Sequence, residues 1–154
     1  MGSWYKGFRL LLGGVMVKAK EFWSCICDSF DFRFFSGVPC RGLAALYNTM
    51  HKDFLHYIPA SNEQIALGLV NGAYLAGFNS AALVDINRVS NLDLDFNLKN
   101  SIPMLIISSV EFYRGDLFSI NLTDNYEDDL RGVITYIAGE RKPGVLIINE
   151  GVLI

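Results

Sequence analysis

Apolar residues along this chain switch repeatedly between two spacings. Phe22, Trp23 and Ile26 recur at helical intervals and predict a helix over 18–29, and the aromatic run 32–36 predicts a short strand halted by Gly37-Val38-Pro39. The same alternation predicts a helix over 41–51, a strand over 54–58 and a helix from 61 to about 77. Next come a strand over 81–86, a polar segment without a clear period through Asn100, and a strand over 103–108. A loop, a helix over 127–141 and a final strand over 145–148 complete the pattern. Strands of unbroken Val, Ile, Leu and Phe character are buried on both faces, which requires helices on either side. The expected fold is therefore α/β, a three-layer α/β/α sandwich with a mainly parallel sheet. In such sheets, sites form where loops leave the C-terminal ends of strands. Four places qualify: 37–41, 60–63, 87–91 and 109–115.

With 154 residues, 51% of them hydrophobic and 19% charged, the chain suits one globular domain. Thirteen Lys and Arg against sixteen Asp and Glu give a net charge of −3 without a basic block, which argues against nucleic acid as a partner. Cys25, Cys27 and Cys40 form neither a disulfide framework nor a zinc spacing, so three reduced thiols and a cytoplasmic setting are expected. Residues 1–17 read as an N-terminal extension, with Met16 as an alternative start, ahead of a domain over 18–154. Two basic residues before an apolar run give that extension the outline of a short signal peptide, but no small-residue cleavage site follows. No stretch approaches the ~20 apolar residues that span a bilayer, so no membrane segment is expected. His51 and His56 lack a third ligand, and no metal site is predicted. Asp93, Asp95 and the run Glu127-Asp128-Asp129 read as solvated surface or helix-start acids.

One acid stands at the head of an otherwise uncharged helix, in SNEQIALGLVNGAYLAG over 61–77. Ser61 and Gln64 have the spacing of a capping box, which puts Glu63 in the first turn, where an acid favours the helix dipole by about 0.3–1 kcal/mol. Gly68 and Gly72 each cost about 1 kcal/mol relative to Ala, so close approach by another backbone or a ligand is expected there. Gly77 suits the C-cap.

Taken together, SGVPCRGL, IPASNEQIALGLVNGAYLAG, SIPMLIIS, the YRG after it and KPGVLIINEGVL resemble the pyrimidine-binding half of thiamine-diphosphate enzymes, over about residues 18–154. The branch resembled is the α-type subunit of the phosphonopyruvate and sulfopyruvate decarboxylases. Gly37, Val38, Pro39 and Cys40 match its first motif, and Asn62, Glu63, Ala66, Gly68, Gly72, Ala73, Tyr74, Leu75, Ala76 and Gly77 match its glutamate-helix motif. The resemblance implies that Glu63 hydrogen-bonds N1′ of the cofactor's aminopyrimidine and shares a proton with it, favouring the imino tautomer that activates the thiazolium. It also implies Pro39, Asn62 and Asn87 beside the cofactor. Arg41 has two readings, a guanidinium for an anionic substrate group or an exposed first helical residue. Arg114 is its companion candidate for substrate. Cys40 is either a packed thiol or one whose pKa a helix N-terminus lowers.

The diphosphate half is missing. Gly115-Asp116-Leu117 lacks the third glycine of the Mg²⁺-binding motif, so Mg²⁺ and the diphosphate are expected on a separate β-type subunit, with the cofactor shared across the interface. The implied substrate is a small anionic 2-oxo acid, and the implied assembly a hetero-oligomer, or a homo-oligomer if no partner exists. Against this, Asn87-Arg88-Val89-Ser90-Asn91 replaces a glycine-containing loop of the branch, and the segment before Ser101 is short. The alternative is a shortened, non-catalytic relative serving as a binding, regulatory or structural oligomeric protein.

Overall fold

A computed structural model describes residues 16–50, 55–109 and 117–154. Helix α1 (Ala19–Ser24) runs on into a π-helical turn, Cys25–Ser29. Strand β1 (Phe32–Gly37) is followed by a 3-10 turn, Arg41–Leu43, that leads into α2 (Ala44–Asn48). Then come β2 (His56–Pro59), α3 (Glu63–Leu75) and β3 (Asn79–Leu83). A 3-10 turn, Ile86–Arg88, precedes α4 (Asn91–Lys99) and β4 (Met104–Ser108). The chain closes with β5 (Phe118–Asn121), α5 (Tyr126–Glu140) and β6 (Pro143–Ile147). The six strands form one sheet in the order β2-β1-β3-β4-β6-β5, every pairing parallel.

Strand periodicity divides the core in two. Ala81, Leu83, Leu105, Ile107 and Leu146 point to one face and pack with Phe22, Trp23 and Ile26 of α1 and its π turn, Leu46 of α2, and Leu130 and Val133 of α5. Ala82, Met104, Ile106, Val145 and Ile147 point to the other, beneath Ala66, Leu67 and Val70 of α3 and Leu94 of α4. This is the three-layer arrangement that unbroken apolar strands require.

Two elements differ from expectation. The polar segment before Asn100 contains a full helix, α4, whose start is fixed by Ser90: its Oγ accepts the Asp93 N–H at 3.2 Å and donates to the Asp93 carboxylate at 2.8 Å. Its apolar period is broken because Leu92 (81% exposed) and Phe96 (53%) face outward while Asn97 is buried. Within the segment read as a loop lies β5, a four-residue edge strand whose Phe-Ser-Ile-Asn alternation lasts only two periods. Val17, grouped above with the extension, is buried, and its N–H donates to the Val152 carbonyl at 2.6 Å.

Asn97 is held by a reciprocal amide pair. Asn71 Nδ2 donates to Asn97 Oδ1 and Asn97 Nδ2 to Asn71 Oδ1, both at 2.9 Å, while Asn97 Nδ2 also reaches the Ile102 carbonyl at 3.2 Å. The pair joins α3 to α4 inside the apolar layer, where an unmet amide is costly. Asn97→Ala strands the Asn71 amide and should lower stability by about 2 kcal/mol, read from urea denaturation. Converting both positions to Leu should recover most of that loss.

Candidate functional site

The parallel sheet gathers the candidate residues at its C-terminal edge. Gly37 ends β1 between Pro59 of β2 and Leu83 of β3. A Cβ on Gly37 would collide with the Leu83 carbonyl oxygen, so only glycine allows β1 to pass so close to β3. Beyond it, Val38 N–H donates to the Leu83 carbonyl at 3.2 Å, and Ala60 N–H donates to the Gly37 carbonyl at 2.9 Å. The loop after β1 and the loop leading into α3 are thereby fastened side by side.

Two tyrosines that sequence reasoning did not single out support this turn. Tyr47 Oη donates to the Val38 and Leu83 carbonyls, each at 3.2 Å, and Tyr57 Oη donates to the Gly37 carbonyl at 3.3 Å. Their rings meet edge to face, with centroids 5.7 Å apart. The available signal was an aromatic with a polar tip on α2 and another on β2, both adjoining the Gly-Val-Pro turn. Burial pushes both phenols above the ordinary tyrosine range.

Glu63 is the first residue of α3. Asn62, not Ser61, is the N-cap: its Oδ1 accepts the Ile65 N–H at 2.9 Å. The cap therefore sits one residue later than expected, and with Ile65 at the third helical position the capping box between Ser61 and Gln64 does not form. Glu63 is half-buried and makes no hydrogen bond or ion pair among the described residues. Clefts of about 290 to 550 Å³ open elsewhere, beside α1, on the β2 face and at the N-terminal end of the sheet; Glu63 lines none of these.

The other loops converge on the same edge. Ser108 Oγ, at the end of β4, accepts the Ile86 N–H at 3.1 Å and so anchors the turn after β3. In that turn the Asn87 N–H is held by Asp85 Oδ1 at 2.9 Å and the Asn87 side chain is exposed, while Arg88 lies 4.0 Å from the Asp85 carboxylate. Pro39 and Arg41 are exposed, and Arg41 has no carboxylate partner among the described residues. Gly42 packs so tightly against Ser109 that an added Cβ would overlap it, and Cys40 Sγ lies 3.9 Å from Ser109 Oγ. Burial raises the Cys40 pKa, which removes the lowered-pKa reading of this thiol. Arg114 and His51 lie outside the described residues.

Neither Gly68 nor Gly72 is approached within its own chain: a Cβ at either would meet nothing within 4 Å. Among the described residues no close contact of the expected kind is made at either glycine. Among the described residues no group of three His, Cys, Asp or Glu could hold a metal ion. No helix of the described residues is long and apolar enough to cross a membrane. The three cysteines are free thiols.

Buried acids of high pKa make the fold sensitive to alkali. Burial moves the Cys27 thiol from 9.0 to about 11, whereas in the unfolded chain it ionises near its ordinary value. A group whose folded pKa is raised stabilises the fold fully below its unfolded pKa, and that contribution is lost as pH rises through the folded one. Stability should therefore fall between about pH 9 and 11, with Tyr47 and Tyr57 adding to the loss above their ordinary pKa. Urea midpoints across that range check it, and Cys27→Ala should flatten the lower part.

No family model matches the chain. It is 34% identical over 110 residues to the sulfopyruvate decarboxylase α subunit of Methanococcus maripaludis, covering 66% of this chain and 61% of that one. It is 37% identical over 92 residues to the corresponding subunit of Methanocaldococcus jannaschii, covering 54% of this chain and 50% of that one. The matched region thus spans half to three fifths of these relatives. Among solved structures, a 2-oxoglutarate:ferredoxin oxidoreductase from Magnetococcus marinus, with 2-oxoglutarate, coenzyme A and succinyl-CoA bound, superposes with a TM-score of 0.61. It covers 88% of this chain and 29% of that one at 14% identity, which establishes likeness of fold.

Proposed function

From a chain that is related to the sulfopyruvate decarboxylase α subunits, we infer the α-type, pyrimidine-binding half of a thiamine-diphosphate-dependent 2-oxo acid decarboxylase. The observation that carries this reading is Glu63. A carboxylate without a partner among the described residues heads α3 at the C-terminal edge of a parallel sheet, where such folds form their sites.

The residues fit one end of the cofactor. Glu63 offers a carboxylate free to share a proton with a ring nitrogen, and its half-burial strengthens that bond relative to water. Asn62 caps α3 and thereby sets the height of Glu63 above the sheet. Gly37 keeps the neighbouring wall flat, and Pro39, Arg41 and Asn87 occupy the loops around it, the Arg41 guanidinium being suited to the second anionic group of a sulfonated or phosphonated 2-oxo acid. The diphosphate and its Mg²⁺, which take hard oxygen ligands, are proposed to be held by a separate β-type subunit. When bound, thiamine diphosphate supplies a carbanionic nucleophile and an electron sink for decarboxylation. Arg114 is proposed as a further substrate contact, and another chain is proposed to complete the site.

A second reading keeps the assembly and drops the chemistry. It is favoured by the turn after β3, where Arg88, rather than a flexible glycine loop, follows Asn87. One experiment separates the two: the chain is mixed with a sulfopyruvate decarboxylase β subunit, thiamine diphosphate and Mg²⁺, and carbon dioxide release from sulfopyruvate and phosphonopyruvate is measured. Activity that needs both chains is the expected result. Formation of a complex without turnover would favour the non-catalytic relative.

A further inference from the structure

At the N-terminal end of the sheet, opposite the edge that carries Glu63, lies a cleft of about 300 Å³. It touches the last turns of α3 and α5 and the starts of β1, β3 and β4, and Tyr74 on its wall is about 17 Å along α3 from Glu63. Its floor is apolar, formed by Phe32, Met104, Leu105 and Ile137. Four polar side chains also line it; Ser80 Oγ is committed to the Val70 carbonyl at 2.9 Å, and the other three have capacity to spare. Asn79 Nδ2 donates to the Phe30 carbonyl at 3.4 Å and leaves Oδ1 uncommitted. Tyr74 Oη and the Arg141 guanidinium have no hydrogen-bond or ion-pair partner among the described residues.

Arg141 carries a second signal. It ends α5 with φ 54°, ψ 53°, the left-handed conformation that usually calls for glycine. A bulky cation stands where backbone preference favours a residue without a side chain, and that side chain lines the cleft. An apolar floor with a few convergent polar groups, at this volume, has the make-up of a small-molecule site. We propose that this cleft binds a small organic carboxylate with an aromatic or branched apolar body, the body lying on Phe32, Met104 and Ile137 and the carboxylate pairing with Arg141, with Tyr74 as a second donor.

The proposal does not depend on the decarboxylase reading. Its test uses the full chain and 3-phenylpropionate as probe, with 3-phenylpropanol as the uncharged control, followed by isothermal titration and by amide chemical shifts. The acid should bind saturably and roughly tenfold more tightly than the alcohol, with shifts centred on residues of the cleft. Arg141→Gly suits the left-handed backbone and should fold at least as well as the parent, yet lose the preference for the acid. Ala138→Phe, at the lip, should exclude both compounds. Absence of saturable binding, equal affinity for acid and alcohol, or an acid preference that survives in Arg141→Gly would each overturn it.

Discussion

Replacing Glu63 by glutamine should cut carbon dioxide release by the reconstituted α–β pair by roughly 10²–10⁴-fold while leaving the chain folded. The size follows from the role proposed for the carboxyl group. Glutamine keeps the length and one acceptor oxygen but cannot hold a proton that is passed to and from a ring nitrogen, so an interaction specific to the reacting state is removed. The structural cost is small, because the carboxylate has no partner to strand among the described residues and loses only its favourable position at the start of α3, about 0.3–1 kcal/mol. Melting and β-subunit binding should therefore stay close to those of the parent. Undiminished turnover in Glu63→Gln would remove the proposed role outright.

The largest loss of stability is expected from Gly37→Ala, about 3 kcal/mol, measured by urea denaturation. The added methyl meets the Leu83 carbonyl oxygen, with Leu83 Cβ at 2.9 Å, and neither can retreat easily. That carbonyl already accepts bonds from Val38 N–H and from Tyr47 Oη, and β1 is held on both sides by β2 and β3. Relieving the clash means breaking the turn that shapes the candidate site. Gly68→Ala is the contrasting control: its Cβ enters open space, and the better helix former should stabilise the free chain by up to about 1 kcal/mol.

The parts of the fold that the sequence made readable are those where burial and period agree. Continuous apolar runs marked β1, β3, β4 and β6 because both faces of a central parallel strand are covered, and α5 was visible from its acidic first turn and apolar stripe. Helix α4 was hidden because its buried stripe includes Asn97 and its exposed side carries Leu92 and Phe96, which reverses the usual contrast. At the candidate site, Glu63 stood out as an isolated acid, and the likeness to decarboxylase α subunits drawn from the motifs is supported by the relatives. Tyr47 and Tyr57 did not stand out, since what matters about them is the carbonyls they reach, and those contacts join residues 9 to 36 positions apart. The cap at Asn62 rather than Ser61 is a one-residue distinction that spacing alone does not resolve, because both side chains can accept from the first turn.

The sheet ends at both margins in four-residue strands, β2 and β5. An outermost strand leaves a row of backbone donors and acceptors unmatched, and a long, flat one recruits other chains into aggregates. Here each row is brief, and on one side it closes with Pro59, which has no N–H to offer. A chain with half its residues apolar thus gives a stray strand little to extend at either margin, and this brevity guards against fibrous association before any specific partner arrives.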